Sequence, residues 1–462
     1  MTFTPNPPKI VPPLDKTFMP MVCYRRDYRG MLADQAIKVM VGLKRGEEDF
    51  CTMEVRTLPV RHPEFGMTPA YFERVLKFLL WQRGAYEVYI SSCDIVADHV
   101  RQVYSSKGAR AFDAAFMENI YGKPFRVIEC HERDMPKVQH SAKNIGRHLD
   151  GFRIGFDLGA SDRKVSAIAN GKTIFSEEVV WEPKLHSDSN YHYTEILKSI
   201  ETAASHLPRV QAIGGSSAGI YIDNEPRVAS LFRAVPPERY GEVRSIFRRI
   251  KDKFDVPLTV INDGDVTALA GSMSLGENAV LGLALGSSLA AGYVTPEGDM
   301  MGWINELAFA PIDLQPNAPR EEWSGDVGCG ASYLSQQAVF RLAPVAGIEI
   351  PEGLTDAGKL AFVQELLENG HSGARQIWET MGVYLGYAIA EYFVYYSIRN
   401  VLILGRCTSG RGGEILLQKA REVLRTEFPN RFELLKLHLP DEKIRRVGQA
   451  VAAASLPELS QK

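Results

Sequence analysis

The chain has 462 residues, of which 45% are hydrophobic and 24% are charged, and its formal net charge at pH 7 is −3. This length exceeds what one hydrophobic core usually organises, so we expect two or three domains, and the composition excludes disordered, collagen-like and coiled-coil proteins. A net charge so close to zero provides no field that would attract nucleic acid or an anionic membrane, so the expected partner is a small molecule.

The first 150 residues predict a mixed α/β domain of unknown role. Hydrophobic patterning predicts a hairpin of two strands at residues 36–41 and 49–58, followed by a helix at 71–82. A strand at 87–91 and a second helix at 95–104 are predicted next. A polar run over residues 136–150 marks the expected end of this domain.

After the polar run, the patterning predicts three strands, a helix and a further strand, over residues 153–158, 164–169, 173–179, 193–205 and 210–214. A strand, a turn of small residues and a returning strand occur twice, over residues 157–165 and 285–294. This recurrence predicts two related lobes. A long apolar run over residues 381–398 contains Glu391 and several glycines and tyrosines, so we expect a buried helix there and no membrane span.

Two of the small-residue turns are candidates for binding phosphate. In the first, Asp157 ends an apolar strand and is followed by Gly159, Ser161 and Lys164. Such a turn can direct backbone N–H groups at phosphate oxygens, while the carboxylate holds Mg²⁺ through water. The second turn, Gly286-Ser287-Ser288, has the same character. Ordinary hairpin turns remain the alternative for both.

A third candidate lies at residues 258–265, where a largely apolar strand leads into Asn262 and Asp263. Ligands of α/β proteins bind at the carboxyl ends of strands. Asp263 could therefore accept a hydroxyl proton while that hydroxyl attacks a phosphoryl group. The alternative is an Asn/Asp turn that follows a strand.

These motifs, taken together and in order, resemble the ROK family of sugar kinases and repressors. The resemblance rests on the Asp157 turn, residues 214–223, Asn262-Asp263, the Gly286 turn, Asn305-Glu306 and residues 402–405. It covers residues 151–462. It implies an α/β fold of the two-lobed, actin-like ATPase (ribonuclease H-like) type behind the N-terminal domain. We expect the first lobe at 151–265 with a C-terminal helix at 441–462, and the second at 266–440.

The resemblance also implies roles for individual residues. Asp263 matches the catalytic base of the family. The residues implied in sugar binding are Ser217, Gly219, Asn262 and Glu306. The residues implied in nucleotide binding are Asp157, Gly159, Ser161, Lys164, Gly286, Ser287, Ser288, Gly405 and Arg406. The implied cofactors are ATP and Mg²⁺, with Asp157 holding the metal through water.

The sequence departs from the family pattern at several positions. Phe309 stands where the family has a histidine, and Cys329 is the one cysteine left of its zinc-binding box, so we expect no structural zinc. Ser287-Ser288 replaces Thr-Gly in the second phosphate turn, and Arg406-Cys407 replaces a glycine-rich turn.

We therefore expect a carbohydrate kinase that transfers phosphate from ATP to a sugar or related polyol. The alternative is a non-enzymatic sugar-binding regulator whose nucleotide loops have degraded. The family's repressors carry a DNA-binding segment, but no Arg/Lys-rich recognition helix stands out in the first 150 residues, so no nucleic acid is expected as a partner. The scattered cysteines are typical of reduced thiols, and we expect a cytoplasmic homo-oligomer that does not bind membranes.

Overall fold

A computed structural model describes residues 5–32, 35–91, 93–139, 145–439 and 442–459, with the side chains of the last helix described from residue 448 onward. The expected boundary run at 136–150 therefore lies partly outside the described residues. The same holds for residues 441 and 460–462 of the expected C-terminal helix.

The helices are α1 (Met21–Leu32), α2 (Thr68–Arg83), α3 (Asp94–Val103), α4 (Ala111–Tyr121), α5 (Ser189–Ala204), α6 (Tyr240–Phe254), α7 (Asp263–Leu275), α8 (Gln336–Leu342), α9 (Asp356–Glu368), α10 (Ser372–Tyr392), α11 (Arg411–Glu427), α12 (Pro429–Phe432) and α13 (Glu442–Ala454). The strands are β1 (Ile37–Gly46), β2 (Asp49–Thr57), β3 (Glu87–Ser91), β4 (Arg126–Cys130), β5 (Phe152–Leu158), β6 (Asp162–Ala169), β7 (Lys172–Val180), β8 (Ala212–Ser217), β9 (Ile220–Ile222), β10 (Glu225–Val228), β11 (Leu258–Asn262), β12 (Val280–Leu285), β13 (Leu289–Val294), β14 (Asn400–Leu404) and β15 (Lys436–His438). The mixed α/β class is as predicted.

The described residues divide into two compact units, each assembled from separate stretches of chain. The first unit comprises Met1–Ser141, Leu283–Ala290 and Trp303–Leu439. The second comprises Ala142–Gly282, Ala291–Gly302 and Pro440–Lys462. The N-terminal residues thus share a unit with most of the C-terminal half of the chain.

The second unit is built on a five-stranded sheet with the order β11-β8-β5-β6-β7. Strands β5, β8 and β11 are parallel, while β6 and β7 are antiparallel additions at one side. The sheet packs against α5 and α6 through a core that includes Phe156, Ile196, Ile213 and Phe247. Helix α13 lies close to β5 and β8 because Gly155 and Gly214 lack side chains that would collide with the α13 backbone.

The first unit contains the predicted N-terminal hairpin. Strands β1 and β2 pair antiparallel, with Val39 opposite Val55, in a four-stranded sheet of order β2-β1-β3-β4. The helix predicted at 71–82 is α2, which begins three residues earlier and ends one residue later.

The buried helix predicted at 381–398 is α10, which begins nine residues earlier and ends six residues earlier. Most of its residues are buried, and it packs along α11. Helix α1 reaches α10 through an ion pair between Arg25 and Glu391, both nearly inaccessible to solvent, with Nη2 to Oε1 at 2.5 Å. Among the described residues, no helix has both the length and the apolar character needed to span a bilayer.

Candidate functional site

The candidate residues of the second unit meet at the carboxyl edge of its parallel strands. Parallel pairing aligns Asp157 of β5 with Ser216 of β8, and Ser217 of β8 with Asn262 of β11. The Ser216 hydroxyl donates a hydrogen bond of 2.6 Å to Asp157 Oδ1. This register brings the first phosphate turn, the predicted sugar-binding serine and the Asn262-Asp263 pair to one edge of the sheet.

Asn262 fixes the junction between β11 and α7. Its side-chain Oδ1 caps α7 by accepting a 2.7 Å hydrogen bond from the Gly264 amide, and its Nδ2 donates one of 2.7 Å to the Gly219 carbonyl. Gly219 has a φ of 121°, which favours glycine, and a Cβ there would also collide with the Val228 carbonyl. The loop after β8 is therefore tied to the start of α7.

Asp263 is the first residue of α7, and its side chain is partly buried. Burial and, second to it, the charge of Asp157 together raise the pKa of its carboxyl group to about 6, against the opposing effect of backbone N–H groups. Burial also raises the pKa of Asp157, against the hydrogen bond from Ser216 and the charge of Lys164. Asp263 thus has a proton affinity suited to a base acting near neutral pH.

A hydroxyl pair adjoins these carboxylates. Ser217 is fully buried, and its hydroxyl lies 2.6 Å from that of Tyr221 on β9. Burial raises the pKa of Tyr221 well above its ordinary value, and the charge of Asp263 adds to the increase. The tyrosine therefore stays protonated and can serve as a hydrogen-bond donor.

The first phosphate turn has a closed set of internal contacts. The Gly159 amide donates to the Asp162 carbonyl at 2.9 Å, and the Trp181 indole N–H donates to the Gly159 carbonyl at 2.9 Å. The carboxylate of Asp162 accepts from the Ser161 hydroxyl at 3.1 Å and pairs with Lys164 Nζ at 3.3 Å. Ser161 and Lys164, the two side chains of this turn that were predicted to bind phosphate, thus both contact the carboxylate of Asp162.

In the first unit, the second phosphate turn adjoins Gly405. The Gly286 amide donates to the Ser288 carbonyl at 3.0 Å, and the Gly286 carbonyl accepts from the Gln336 amide at the start of α8 at 2.9 Å. Gly405 has a φ of 101°, and a Cβ there would collide with the backbone of Leu285. The structure brings these two predicted nucleotide-binding turns together, with Ser287, Ser288 and Arg406 exposed.

Glu306 lies elsewhere in the first unit, in the segment after β13. Its backbone N–H donates to the Trp81 carbonyl at 2.8 Å, and that of Asn305 donates to the Gln82 carbonyl at 2.9 Å. Three residues on, Phe309 is buried against the Trp81 ring, with ring centroids 4.3 Å apart. The Phe309 ring is therefore used in packing.

Sequence reasoning missed Ser216, Tyr221 and Asp162. Ser216 could have been found from the strand order, because parallel pairing places it beside Asp157. Tyr221 depends on the path of the chain after β8, which no local pattern specifies. Asp162 was visible in the sequence as an acid between two predicted phosphate ligands.

Comparison of the whole structure with solved structures identifies the architecture. The crystal structure of a ROK hexokinase from Thermus thermophilus matches 66% of this chain and 98% of its own, with a TM-score of 0.53 and 18% identity. The chain has the ROK fold. A ROK family transcriptional regulator, described as a homologue of the E. coli MLC protein, matches 67% of this chain and 78% of its own, with a TM-score of 0.52 and 20% identity.

The ROK fold is the actin-like ATPase architecture that the sequence motifs implied. At these identities the likeness is one of fold. No family profile and no curated protein sequence matches the chain. Because the ROK fold occurs in both a hexokinase and a transcriptional regulator, function has to be argued from the site.

Proposed function

We propose that this protein is an ATP-dependent kinase of a sugar or related polyol, with Asp263 as its general base. The observation that carries the proposal is Asp263 itself, a partly buried carboxylate at the end of a parallel strand, with its pKa raised to about 6. A base of this strength is mostly ionised at neutral pH and still binds a proton strongly enough to assist transfer. The hexokinase of the same fold supports the choice of a sugar acceptor.

In the proposed reaction, a sugar hydroxyl attacks the γ-phosphorus of ATP. The new bond joins the hydroxyl oxygen to phosphorus, the bond from phosphorus to the bridging oxygen breaks, and ADP leaves. The hydroxyl proton passes to the Asp263 carboxylate. Asn262 and Ser217 orient the acceptor by fixing the loop after β8, Asn262 through the Gly219 carbonyl and Ser217 through the Tyr221 hydroxyl.

Asp157 also fits a role in holding Mg²⁺. Its carboxylate raises the pKa of Asp263, and Lys164 is the cation that lowers the pKa of Asp157 itself. Hard oxygen ligands with an excess of negative charge suit Mg²⁺, which keeps several waters and needs few protein ligands. Asp157 would hold the ion through water, and the ion would neutralise charge that develops on the phosphates. Among the described residues, no cluster of three or more His, Cys, Asp or Glu side chains could hold a metal by itself.

On the nucleotide side, the proposal assigns the backbone of the Gly286 turn to phosphate and that of Gly405 to adenosine. At Gly286 the backbone is uncovered, because glycine has no side chain. At Gly405 a larger residue would collide with the backbone of Leu285. The exposed Arg406 guanidinium would supply positive charge.

The test is ADP release by the wild type and Asp263→Asn over a panel of hexoses, hexosamines and polyols with Mg²⁺-ATP. Asp263→Asn should bind the acceptor normally and transfer roughly two to four orders of magnitude more slowly, because the base is lost. Asp265→Asn is the matched control, since this acid of the same helical turn accepts a backbone hydrogen bond from Tyr293. It should keep turnover within the same order of magnitude. Equal turnover in the wild type and Asp263→Asn rejects the assignment.

The second candidate function is a sugar-binding regulator without catalysis. The observation that favours it is Asp162, whose carboxylate engages Ser161 and Lys164 and adds negative charge where phosphate would bind. Under this alternative, calorimetry detects a sugar but no Mg²⁺-ATP analogue, and the panel gives no ADP. Tight, salt-sensitive binding to a DNA duplex would further favour this candidate.

A further inference from the structure

The N-terminal residues enclose the segment that carries Glu306. Helix α2 ends beside this segment, and each of its last four carbonyls has a partner outside the regular helix. The Leu80 carbonyl accepts from Gly84, that of Trp81 from Glu306, that of Gln82 from Asn305, and that of Arg83 from the Arg45 guanidinium. Helix ends usually leave these groups to water. Here two of the four carbonyls, those of Trp81 and Gln82, bind the backbone of the consecutive residues Glu306 and Asn305.

Asn305 is held on its other side as well. Its φ of 48° lies in the left-handed region, which asparagine tolerates better than most residues. Its side-chain Oδ1 accepts a hydrogen bond of 2.9 Å from the Tyr396 hydroxyl. The neighbouring Tyr395 carbonyl accepts from the buried Gln82 side chain at 3.0 Å. The backbone leading into Glu306 is therefore fixed by both α2 and the turn that follows α10.

The continuation of the segment is fixed by aromatic packing. The Phe309 ring lies against four aromatic rings. Trp81 belongs to α2, Phe112 and Phe116 belong to α4, and the fourth ring is that of Trp323. Such pairs add stabilisation beyond the area they bury. Phe309 thus anchors the end of the Glu306 segment on the N-terminal helices.

A buried ion cluster fixes the next segment, which includes Asp326. Lys77 is fully buried and lies 2.7 Å from Asp113 and 3.2 Å from Asp326, and Arg110 pairs with Glu73 and Asp326 at 2.5 Å each. Arg74 contacts Asp326 at 3.2 Å. The three cations balance the three acids, so the cluster is stable only while α2, α4 and the Asp326 segment stay together.

We infer that helix α2 is a positioning element for Glu306, and that the N-terminal residues support acceptor binding through it. This inference rests on the proposed function and on the role in acceptor binding that the family resemblance implies for Glu306. The carbonyls of Trp81 and Gln82 set the backbone of residues 305 and 306, while Phe309 and the ion cluster keep α2 in place. Asn305 is the positioning residue through which this support can be altered.

The test compares Asn305→Ala, Asn305→Asp and Tyr384→Phe. Alanine loses the bond from Tyr396 and tolerates the left-handed backbone poorly, whereas aspartate keeps both properties. Tyr384→Phe is the matched control, since it removes a buried tyrosine hydrogen bond to Asp15 in the same unit, away from Glu306. We expect Asn305→Ala to raise the acceptor KM roughly tenfold with little change in the ATP KM, and Asn305→Asp to restore it.

Amide hydrogen exchange supplies a readout that needs no activity. In Asn305→Ala the peptide containing Glu306 should exchange about tenfold faster, while Tyr384→Phe leaves it unchanged. Faster exchange with an unchanged acceptor KM overturns the inference, because α2 then serves stability alone. Unchanged exchange also overturns it.

The two proposals can fail separately. If the wild type releases no ADP with any acceptor but binds a sugar, the kinase assignment fails, and the sugar Kd of the same variants takes the place of KM. A wild type that neither transfers phosphate to any sugar nor binds one overturns both proposals.

Discussion

The charge of Asp157 acts on Asp263, and this interaction predicts how catalysis depends on pH. The pKa of Asp263 is raised to about 6 by burial and by the charge of Asp157, so the base is ionised above this pH and protonated below it. The kcat/KM for the acceptor should therefore fall about tenfold per pH unit below roughly pH 6 and level off above it. Bound Mg²⁺ favours the ionised form and moves the midpoint downward.

The measurement is kcat/KM at low acceptor concentration, over roughly pH 5 to 8 with saturating Mg²⁺-ATP. The stability of the protein over the same range has to be followed by thermal unfolding as the control. A profile that stays flat at low as well as at saturating Mg²⁺-ATP would exclude a titrating base with the pKa of Asp263.

Asp162 predicts a second effect at the scale of one residue. Its carboxylate pairs with Lys164 and accepts from Ser161, so Asp162→Asn should free the ammonium group and remove a negative charge from the turn. We expect the ATP KM to fall severalfold, with the acceptor KM unchanged, since an exposed charge pair is worth up to about 1 kcal/mol. Steady-state kinetics with each substrate varied in turn measures both constants.

Asp255→Asn is the control for that experiment. Asp255 ends α6 in the left-handed conformation that asparagine also adopts, so the substitution removes a charge from the same unit without backbone strain. A higher ATP KM in Asp162→Asn would contradict the prediction and would mean that the acid assists nucleotide binding.

At the scale of elements, the segments around Phe309 and Cys329 predict a protein without structural zinc. Aromatic rings surround Phe309, and an ion cluster surrounds Asp326, which lies 3.7 Å from the Cys329 thiol. Burial raises the pKa of Cys329 well above its ordinary value, which disfavours the thiolate that zinc requires. Elemental analysis after dialysis should find far less than one zinc per chain, and a chelator should leave the melting temperature unchanged. Near-stoichiometric zinc would refute this.

The sequence predicted those elements whose apolar spacing is local. Helix α2 and the β1–β2 hairpin were predicted within a few residues of their bounds, because their buried positions follow the helical or alternating period. Helix α1 was not predicted. Its buried face includes Arg25, whose charge is balanced in the core by the distant Glu391. No local pattern contains this information.

For the whole molecule, the shared first unit predicts that the N-terminal residues are required for folding. Removing residues 1–141 would leave Glu391 and Asp326 without their buried cations and would expose Tyr395, which stacks on Phe78 at 3.8 Å. An unpaired buried charge costs several kcal/mol, so residues 142–462 alone should be insoluble or lack a cooperative thermal transition. Soluble expression and calorimetry are the measurements.

A double variant supplies the control for the truncation. Arg25→Met with Glu391→Met replaces a buried ion pair by apolar side chains of similar size, a change that is often neutral or stabilising, so the full-length chain should still fold. A truncated protein that is monodisperse and melts cooperatively would contradict the requirement.

The candidate site could be predicted in part for the same reason as the fold. Asp157, Asn262 and Asp263 all lie at the carboxyl ends of apolar strands, and strand ends can be recognised locally. Strand order then determines which of them lie together, and it depends on contacts far apart in the chain. The contribution of the first 150 residues could not be predicted at all, because decisive partners of α2 lie more than two hundred positions later, as the Arg74–Asp326 bond illustrates.

The discontinuous first unit has a consequence for synthesis on the ribosome. Arg25 and its partner Glu391 are 366 residues apart, so at translation rates of about 5 to 20 residues per second the early helix emerges roughly 20 to 70 seconds before its partner. During that interval, the later residues that bury the apolar faces of α1 and α2 in the folded unit have not yet been synthesised. The nascent chain is then open to aggregation, and its yield should depend on trigger-factor-like and Hsp70-like chaperones that cover such faces until the rest of the unit arrives.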